Sequence, residues 1–248
     1  MMIIMTKGDK EIANYLTRVG NMFYQLQKYK KAIKFYEQAL EHIPELATTW
    51  FNKGSACLYL KEYEEALICF EKALNIDPSH TLAYNGKGSA LLELKRYEEA
   101  IQCFDEALSI MPDLTLVLYN KGSALLAWEK YEETIQCLDL VIIKDHGNWA
   151  AWNNKGVAYY NLKKYPEALE CFSESLNINP DFLKALNNKG YVLTHFKRYE
   201  EALGCFDKIL ELAHHVEPSY YKPFGESAVV CKENIIKEIR TMVNQSLE

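Results

Sequence analysis

The chain has 248 residues, a net charge of −6 and a pI near 5.6, so general attraction to nucleic acid or to an anionic membrane surface is not expected. Apolar residues make up 49% and charged residues 25%, the balance of a folded domain, and no apolar run approaches the roughly 18–20 residues that span a bilayer. The opening Met1-Met2-Ile3-Ile4-Met5 is too short for a signal-peptide core and has no basic leader, so the cytosol is the expected compartment.

Residues 1–12 read as a tail running into a first helix, with Asp9 placed to cap it. Residues 1–46 carry seven Lys/Arg against five Asp/Glu, whereas the remainder carries 21 against 29. The basic cluster Lys28, Lys30, Lys31 and Lys34 is read as a solvated helix face before any contact with an acidic partner. From Gly20 onward, Gly54, Gly88, Gly122, Gly156 and Gly190 recur every 34 residues. A fixed period of this length marks stacked supersecondary units. The units are 13–46, 47–80, 81–114, 115–148, 149–182 and 183–216, and each reads as two amphipathic helices. In the second unit, Trp50, Gly54, Cys57 and Leu58 share a face. A turn follows near Leu60-Lys61-Glu62, then Tyr63, Ala66, Leu67, Phe70, Ala73 and Leu74 recur at three- and four-residue spacing. Asp77-Pro78 ends the unit, since a residue before proline is pushed out of the helical region.

The fourth unit departs most from this pattern: Thr134, Leu138 and Asp145-His146-Gly147-Asn148 replace the alanine, the aromatic and the proline turn, which predicts a looser junction there. Beyond 217 the glycine register fails at Phe224. Ala228, Cys231, Ile235 and Ile239 then return at helical spacing and predict a helix from about 225 to 246 that caps the last unit. Segment 217–248 is therefore read as a linker and a capping helix.

Cys69, Cys103, Cys137, Cys171 and Cys205 are also 34 apart. Equivalent positions in stacked helix pairs lie about 10 Å apart, beyond the roughly 7 Å within which Cα atoms can be bridged, so these thiols are expected to be reduced packing residues. A helical glycine costs about 1 kcal/mol relative to alanine. The six glycines are therefore expected to admit a close partner helix, with Ala32, Ala66, Ala100, Ala168 and Ala202 as the complementary small residues.

Trp50-x-x-Lys53-Gly54 followed by Tyr63, Ala66, Phe70, Ala73 and Pro78 resembles the tetratricopeptide repeat, and six copies in register carry that resemblance over residues 13–216. The resemblance implies an all-α, right-handed superhelical solenoid of antiparallel helix pairs. Lys53, Lys87, Lys121, Lys155 and Lys189 depart from it, standing where the family has leucine; their stems can cover apolar surface while the ammonium reaches water.

Catalytic motifs fail on inspection. Asn85-Gly86-Lys87-Gly88-Ser89 lacks the spacing and the preceding strand of a phosphate loop. Gly225-Glu226-Ser227-Ala228 lacks the second glycine of a nucleophile elbow. His42, His80, His146 and His214 fall near unit junctions as loop residues, and His214-His215 with Cys205 or Cys231 has no metal-ligand spacing. Neither catalytic activity, nor a cofactor, nor a metal is expected.

In the proteins this chain resembles, first helices line a concave groove through positions 2, 5, 9, 12 and 13 of each repeat. The candidate peptide-binding residues are Asn21, Tyr24, Phe51, Tyr59, Asn85, Tyr119, Asn153, Tyr160, Asn187 and Tyr191 at these positions, with Asn52, Asn120, Asn154 and Asn188 at position 6. Only Glu93 and Lys184 are charged at the groove positions. Amides can donate to and accept from a peptide backbone, and tyrosines add contact area with a polar tip. Relatives that grip chaperone C-terminal carboxylates need cations that are missing here: the corresponding set is Thr17, Asn21, Asn52, Leu82 and Gly86, which argues against that partner. The expected function is an adaptor holding an extended peptide or protein segment, with homo-oligomerisation through repeat surfaces or terminal caps as the alternative; the apolar patch Leu82, Leu92, Leu116 and Leu126 fits either role.

Overall fold

The structure, a computed structural model, describes residues 7–213 and 218–246. His214 and His215, and with them the weighed metal pairing, lie outside these residues. Thirteen helices and no strand occur among the described residues: α1 (Lys7–Gln25), α2 (Tyr29–His42), α3 (Ala47–Tyr59), α4 (Tyr63–Ile76), α5 (Thr81–Glu93), α6 (Tyr97–Ile110), α7 (Thr115–Ala127), α8 (Tyr131–Lys144), α9 (Trp149–Asn161), α10 (Tyr165–Ile178), α11 (Leu183–His195), α12 (Tyr199–Ala213) and α13 (Pro218–Ser246). Two compact units divide the chain, residues 1–128 with α1–α7 and residues 129–248 with α8–α13. Within each, successive helices pack as antiparallel pairs and each pair stacks on the next.

The same local chemistry builds every pair. A first helix ends where Gln27, Lys61, Lys95, Glu129, Lys163 or Lys197 takes a positive φ of 56–62°. In the second repeat the Lys61 N–H donates to the Leu58 carbonyl at 3.0 Å and the Glu62 N–H to the Cys57 carbonyl at 2.9 Å. That pair of bonds is a Schellman cap, which satisfies carbonyls orphaned at the helix end. It reverses the chain within three residues, and a tyrosine then opens each second helix.

Inside five of the six pairs the glycine meets an aromatic ring rather than the alanine that the sequence pattern suggested. A Cβ at Gly156 would lie 2.6 Å from Phe172, and at Gly20 2.4 Å from Tyr36. Gly54, Gly88 and Gly190 meet Phe70, Phe104 and Phe206 in the same way. The alanines are fully buried beside them. Gly86 and Gly88 lie in mid-α5 against Phe70 and Phe104, so the glycines resembling a phosphate loop serve packing.

The position-7 lysines do more than reach water. Lys53 pairs with Glu37 at 3.0 Å, Lys87 with Glu71 at 3.0 Å, Lys121 with Asp105 at 2.6 Å and Lys155 with Asp139 at 2.6 Å. Each pair ties a first helix to the second helix of the preceding repeat. Lys53, which also meets Glu65 at 3.1 Å, is buried. Burial alone would lower its pKa, but hydrogen bonds to Glu37 and Glu65 outweigh that and hold it above the ordinary lysine value.

Two further expectations need correction, and the division of the chain falls inside the fourth unit, where a looser junction is expected. Asp9 does not cap α1, which begins at Lys7; it sits in the first turn, where a carboxylate complements the helix dipole, and pairs with His42 Nδ1 at 3.3 Å. The terminal helix starts at Pro218 rather than near 225 and carries Pro223 within it. The turn at 145–148 is well bonded: Asn148 Oδ1 accepts from the Ala151 N–H at 3.0 Å, and Trp152 Nε1 donates to the His146 carbonyl at 3.3 Å. The division between compact units lies between α7 and α8.

Candidate functional site

First helices of neighbouring repeats touch along one face of each unit: α1, α3, α5 and α7 in the first, α9, α11 and α13 in the second. The candidate residues stand on these helices, but many of their amides are already engaged. In the first unit, Asn21 Oδ1 accepts from the Tyr36 hydroxyl at 2.9 Å and from Asn52 Nδ2 at 3.0 Å. Asn120 Nδ2 donates to Asn85 Oδ1 at 2.8 Å, and in the second unit Asn188 Nδ2 donates to Asn153 Oδ1 at 3.0 Å. An asparagine offers two N–H donors and a carbonyl with two lone pairs. These amides therefore link adjacent first helices and still keep capacity toward a ligand. Asn153 is the exception, only 3% exposed and also bonded through Nδ2 to Asn154 at 3.3 Å. It belongs to the interior.

Aromatic rings form the rest of the face. Tyr59 stacks on Tyr29 with centroids 4.9 Å apart and planes 6° apart, and Tyr24 meets both edge-on. Burial and then the neighbouring Tyr59 hydroxyl push the Tyr24 phenol above its ordinary pKa. Burial alone raises Tyr36 to about 12. Phe51 is half-buried, packed on Phe70 at 6.0 Å and on His80 at 4.9 Å. His80 is no loose loop residue: its Nδ1 accepts from the Ala83 N–H at 3.2 Å and caps α5. Tyr119 on α7 is half-buried.

Two cavities open on these faces. The first unit holds one of about 560 Å³, lined by Leu58, Tyr59, Ser89, Leu92, Glu93 and Asn120, with Lys61 and Tyr63 at its edge. Tyr63 donates its hydroxyl to Glu93 Oε2 at 3.1 Å. Desolvation and that carboxylate raise the Tyr63 pKa. The second unit holds one of about 340 Å³, lined by Val157, Tyr160, Asn161, Phe172, Asn188 and Tyr191. Its walls are Tyr160 and Tyr191, its floor the buried Phe172 ring. Tyr160 packs edge-on against Tyr165, which also meets His195 at 4.1 Å and Phe196 at 6.4 Å. The Tyr191 hydroxyl lies 2.9 Å from Ser227 Oγ on α13, and that oxygen donates to Asn187 Oδ1 at 3.4 Å. The terminal helix thus occupies the end of this face and engages two candidate residues.

Sequence reasoning used Tyr63 as a packing residue of the second helix and missed that Tyr29, Tyr63 and Tyr165 stand beside the candidate site. The signal was present, because Tyr29, Tyr63, Tyr97, Tyr131, Tyr165 and Tyr199 share the 34-residue period. Among the described residues, no group of three or more His, Cys, Asp or Glu side chains is placed to hold a metal, and no helix is long and apolar enough to cross a membrane.

Profiles of the tetratricopeptide repeat family match residues 11–79, 81–114, 149–182 and 182–216. No curated protein sequence matches the chain. Similar solved structures include PilW, a widely conserved type IV pilus biogenesis factor, with a TM-score of 0.76 at 19% identity over 84% of this chain and 96% of that one. PilF from Pseudomonas aeruginosa gives 0.71 at 20% identity over 88% and 98%. YrrB, described as a TPR protein with an unusual peptide-binding site, gives 0.59 at 24% identity over 80% and 97%.

Proposed function

Because the chain belongs to the tetratricopeptide repeat family, we propose that it is a non-catalytic adaptor whose first-helix faces each hold an extended segment of another protein. The observation that carries this reading is the pair of tyrosine-walled cavities, which open where neighbouring first helices meet. Tyr59 is 61% exposed, Tyr160 40% and Tyr191 41%, apolar area that water covers at a cost unless a partner does. Asn188 and Asn120 stand beside these rings with a carbonyl oxygen and one N–H left after their bonds to Asn153 and Asn85, the complement of a peptide unit. A solved structure of the same fold, YrrB, is described as having a peptide-binding site. Seven free thiols suit a reducing compartment such as the cytosol.

Alanine at Asn153 would remove an interior support of Asn188, so the tyrosines make the cleaner test. Tyr59→Ala combined with Tyr160→Ala, both truncations of exposed rings, is expected to abolish capture of partners from source lysate while leaving the far-ultraviolet CD spectrum unchanged. Undiminished capture would refute the reading. A second reading is favoured by one observation: Leu82 and Leu116, equivalent residues on α5 and α7, are 44% and 52% exposed. They would form a face for a second copy of the chain, detected by light scattering as a mass that rises with concentration and no longer rises in Leu82→Ser/Leu116→Ser.

A further inference from the structure

The cavity of the first unit is chemically one-sided. Among the described residues Glu93 is the one carboxylate lining it, and its Oε2 accepts from the Tyr63 hydroxyl, which leaves Oε1 for a ligand. Asn120 spends an N–H on Asn85 and keeps its carbonyl oxygen. Ser89 donates its hydroxyl to the Asn85 carbonyl and is left as an acceptor. Tyr59 presents the ring face opposite Tyr29, pinned by that stack and by Tyr24 at its edge. The wall is therefore mostly acceptors around an anion, with one Asn120 N–H left over, beside a flat aromatic face held in place before anything binds. Lys61 supplies the one opposing charge; it is exposed, at the mouth, on the positive-φ turn.

A group that matches this wall has donors only, a positive charge and a plane. Arginine's guanidinium has five N–H donors and no acceptor, pairs with carboxylates in a fixed fork and stacks on aromatic faces. Lysine's ammonium matches the charge but not the plane. We infer that this cavity is an arginine subsite: the guanidinium of the bound segment lies on Tyr59 and donates to Glu93 and Asn120. The inference rests on the proposed peptide-binding function and gives it a sequence preference. The cavity of the second unit has no charged lining residue, so the preference belongs to the first unit alone.

The test uses blocked heptapeptides of glycine and alanine with a central arginine, citrulline, lysine, norleucine or glutamate, titrated against the ¹⁵N-labelled full chain by NMR. Citrulline keeps the shape of arginine without its charge. The arginine peptide is expected to bind about five- to tenfold more tightly than the citrulline peptide, the scale of one exposed ion pair joined to one stacked cation. Glu93→Gln, which still accepts from Tyr63, should reduce that preference to about two- to threefold, the share of the stacked cation. Lys61→Gln should tighten binding of the two cationic peptides and leave citrulline and norleucine unchanged. Equal binding of arginine and citrulline, an arginine preference undiminished by Glu93→Gln, or lysine binding as tight as arginine would each overturn the subsite. If those results came with norleucine binding that Tyr160→Ala weakens, the peptide-binding reading would stand without the subsite. Absence of shifts with every peptide up to about 5 mM, a free energy near −3 kcal/mol, would overturn both.

Discussion

At the turn inside each of the six repeats, Glu129 with its φ of 62° included, a long side chain stands where the backbone favours glycine. Lys61, Lys95, Lys163 and Lys197 have φ near +60° and Gln27 has 56°, a conformation that costs a side-chain-bearing residue roughly 1–2 kcal/mol. The Schellman bonds on either side hold it there. Replacing Lys163 by glycine removes the Cβ conflict at some cost in unfolded-chain entropy, so Lys163→Gly is expected to raise stability by about 0.5–1 kcal/mol. Urea denaturation measures this, and a loss of stability would mean that the lysine stem contributes more than its strain. The repeated thiols give a second residue-level expectation. Burial pushes the Cys171 thiol from 9.0 to about 12. Its folded pKa therefore exceeds its unfolded one, so its contribution is fully present below pH 9 and is lost as the pH rises from about 9 toward 12. Iodoacetamide at pH 8 should leave Cys171 unmodified in the native chain and alkylate it in urea, as mass spectrometry of peptides would report. Rapid native alkylation would contradict its placement.

At the scale of the element, stacking rests on contacts between a first helix and the second helix before it. The lysine-to-acid pairs recur at Lys53, Lys87, Lys121 and Lys155, then stop: the acid that would meet Lys189 is replaced by Ser173. Ser173→Asp should restore the pair between α10 and α11 and stabilise the chain by up to about 1 kcal/mol at low salt. The gain should disappear when Lys189→Met is added; a gain that persists would have another origin. The lysine period was plain in the sequence, but its meaning was not. A lysine at a leucine site reads as a snorkelling stem until the helix before it brings a carboxylate 3.0 Å from its ammonium. The same holds for Gly156: its period announced close packing, whereas its partner, the Phe172 ring rather than Ala168, needed the helix rotation. Helix types and turns were legible because apolar spacing and the repeating tyrosine depend on local geometry alone. The start of α13 was not, since a proline at 223 reads as a stop.

For the whole molecule, the candidate face was legible only in part. Tyr59, Tyr160 and Tyr191 are exposed, as the repeat register placed them. Asn153, in the same register, is buried by its bonds to neighbouring amides, and Tyr191 and Asn187 are met by Ser227 from a helix outside the repeat period. Position within a repeat specifies the direction of a side chain, whereas its partners come from the neighbouring repeat or a terminal helix. The central claim is that a partner segment lies on the first-helix faces. Site-specific photo-crosslinking in source cells tests it most directly, with p-benzoylphenylalanine placed at Tyr59, at Tyr160 and, as outer controls, at Ile68 and Ile143, which are 46% and 79% exposed on second helices α4 and α8. The expected result is a crosslinked partner at Tyr59 and Tyr160 and none at the controls. Crosslinks confined to Ile68 and Ile143, or joining only copies of the chain itself, would contradict it.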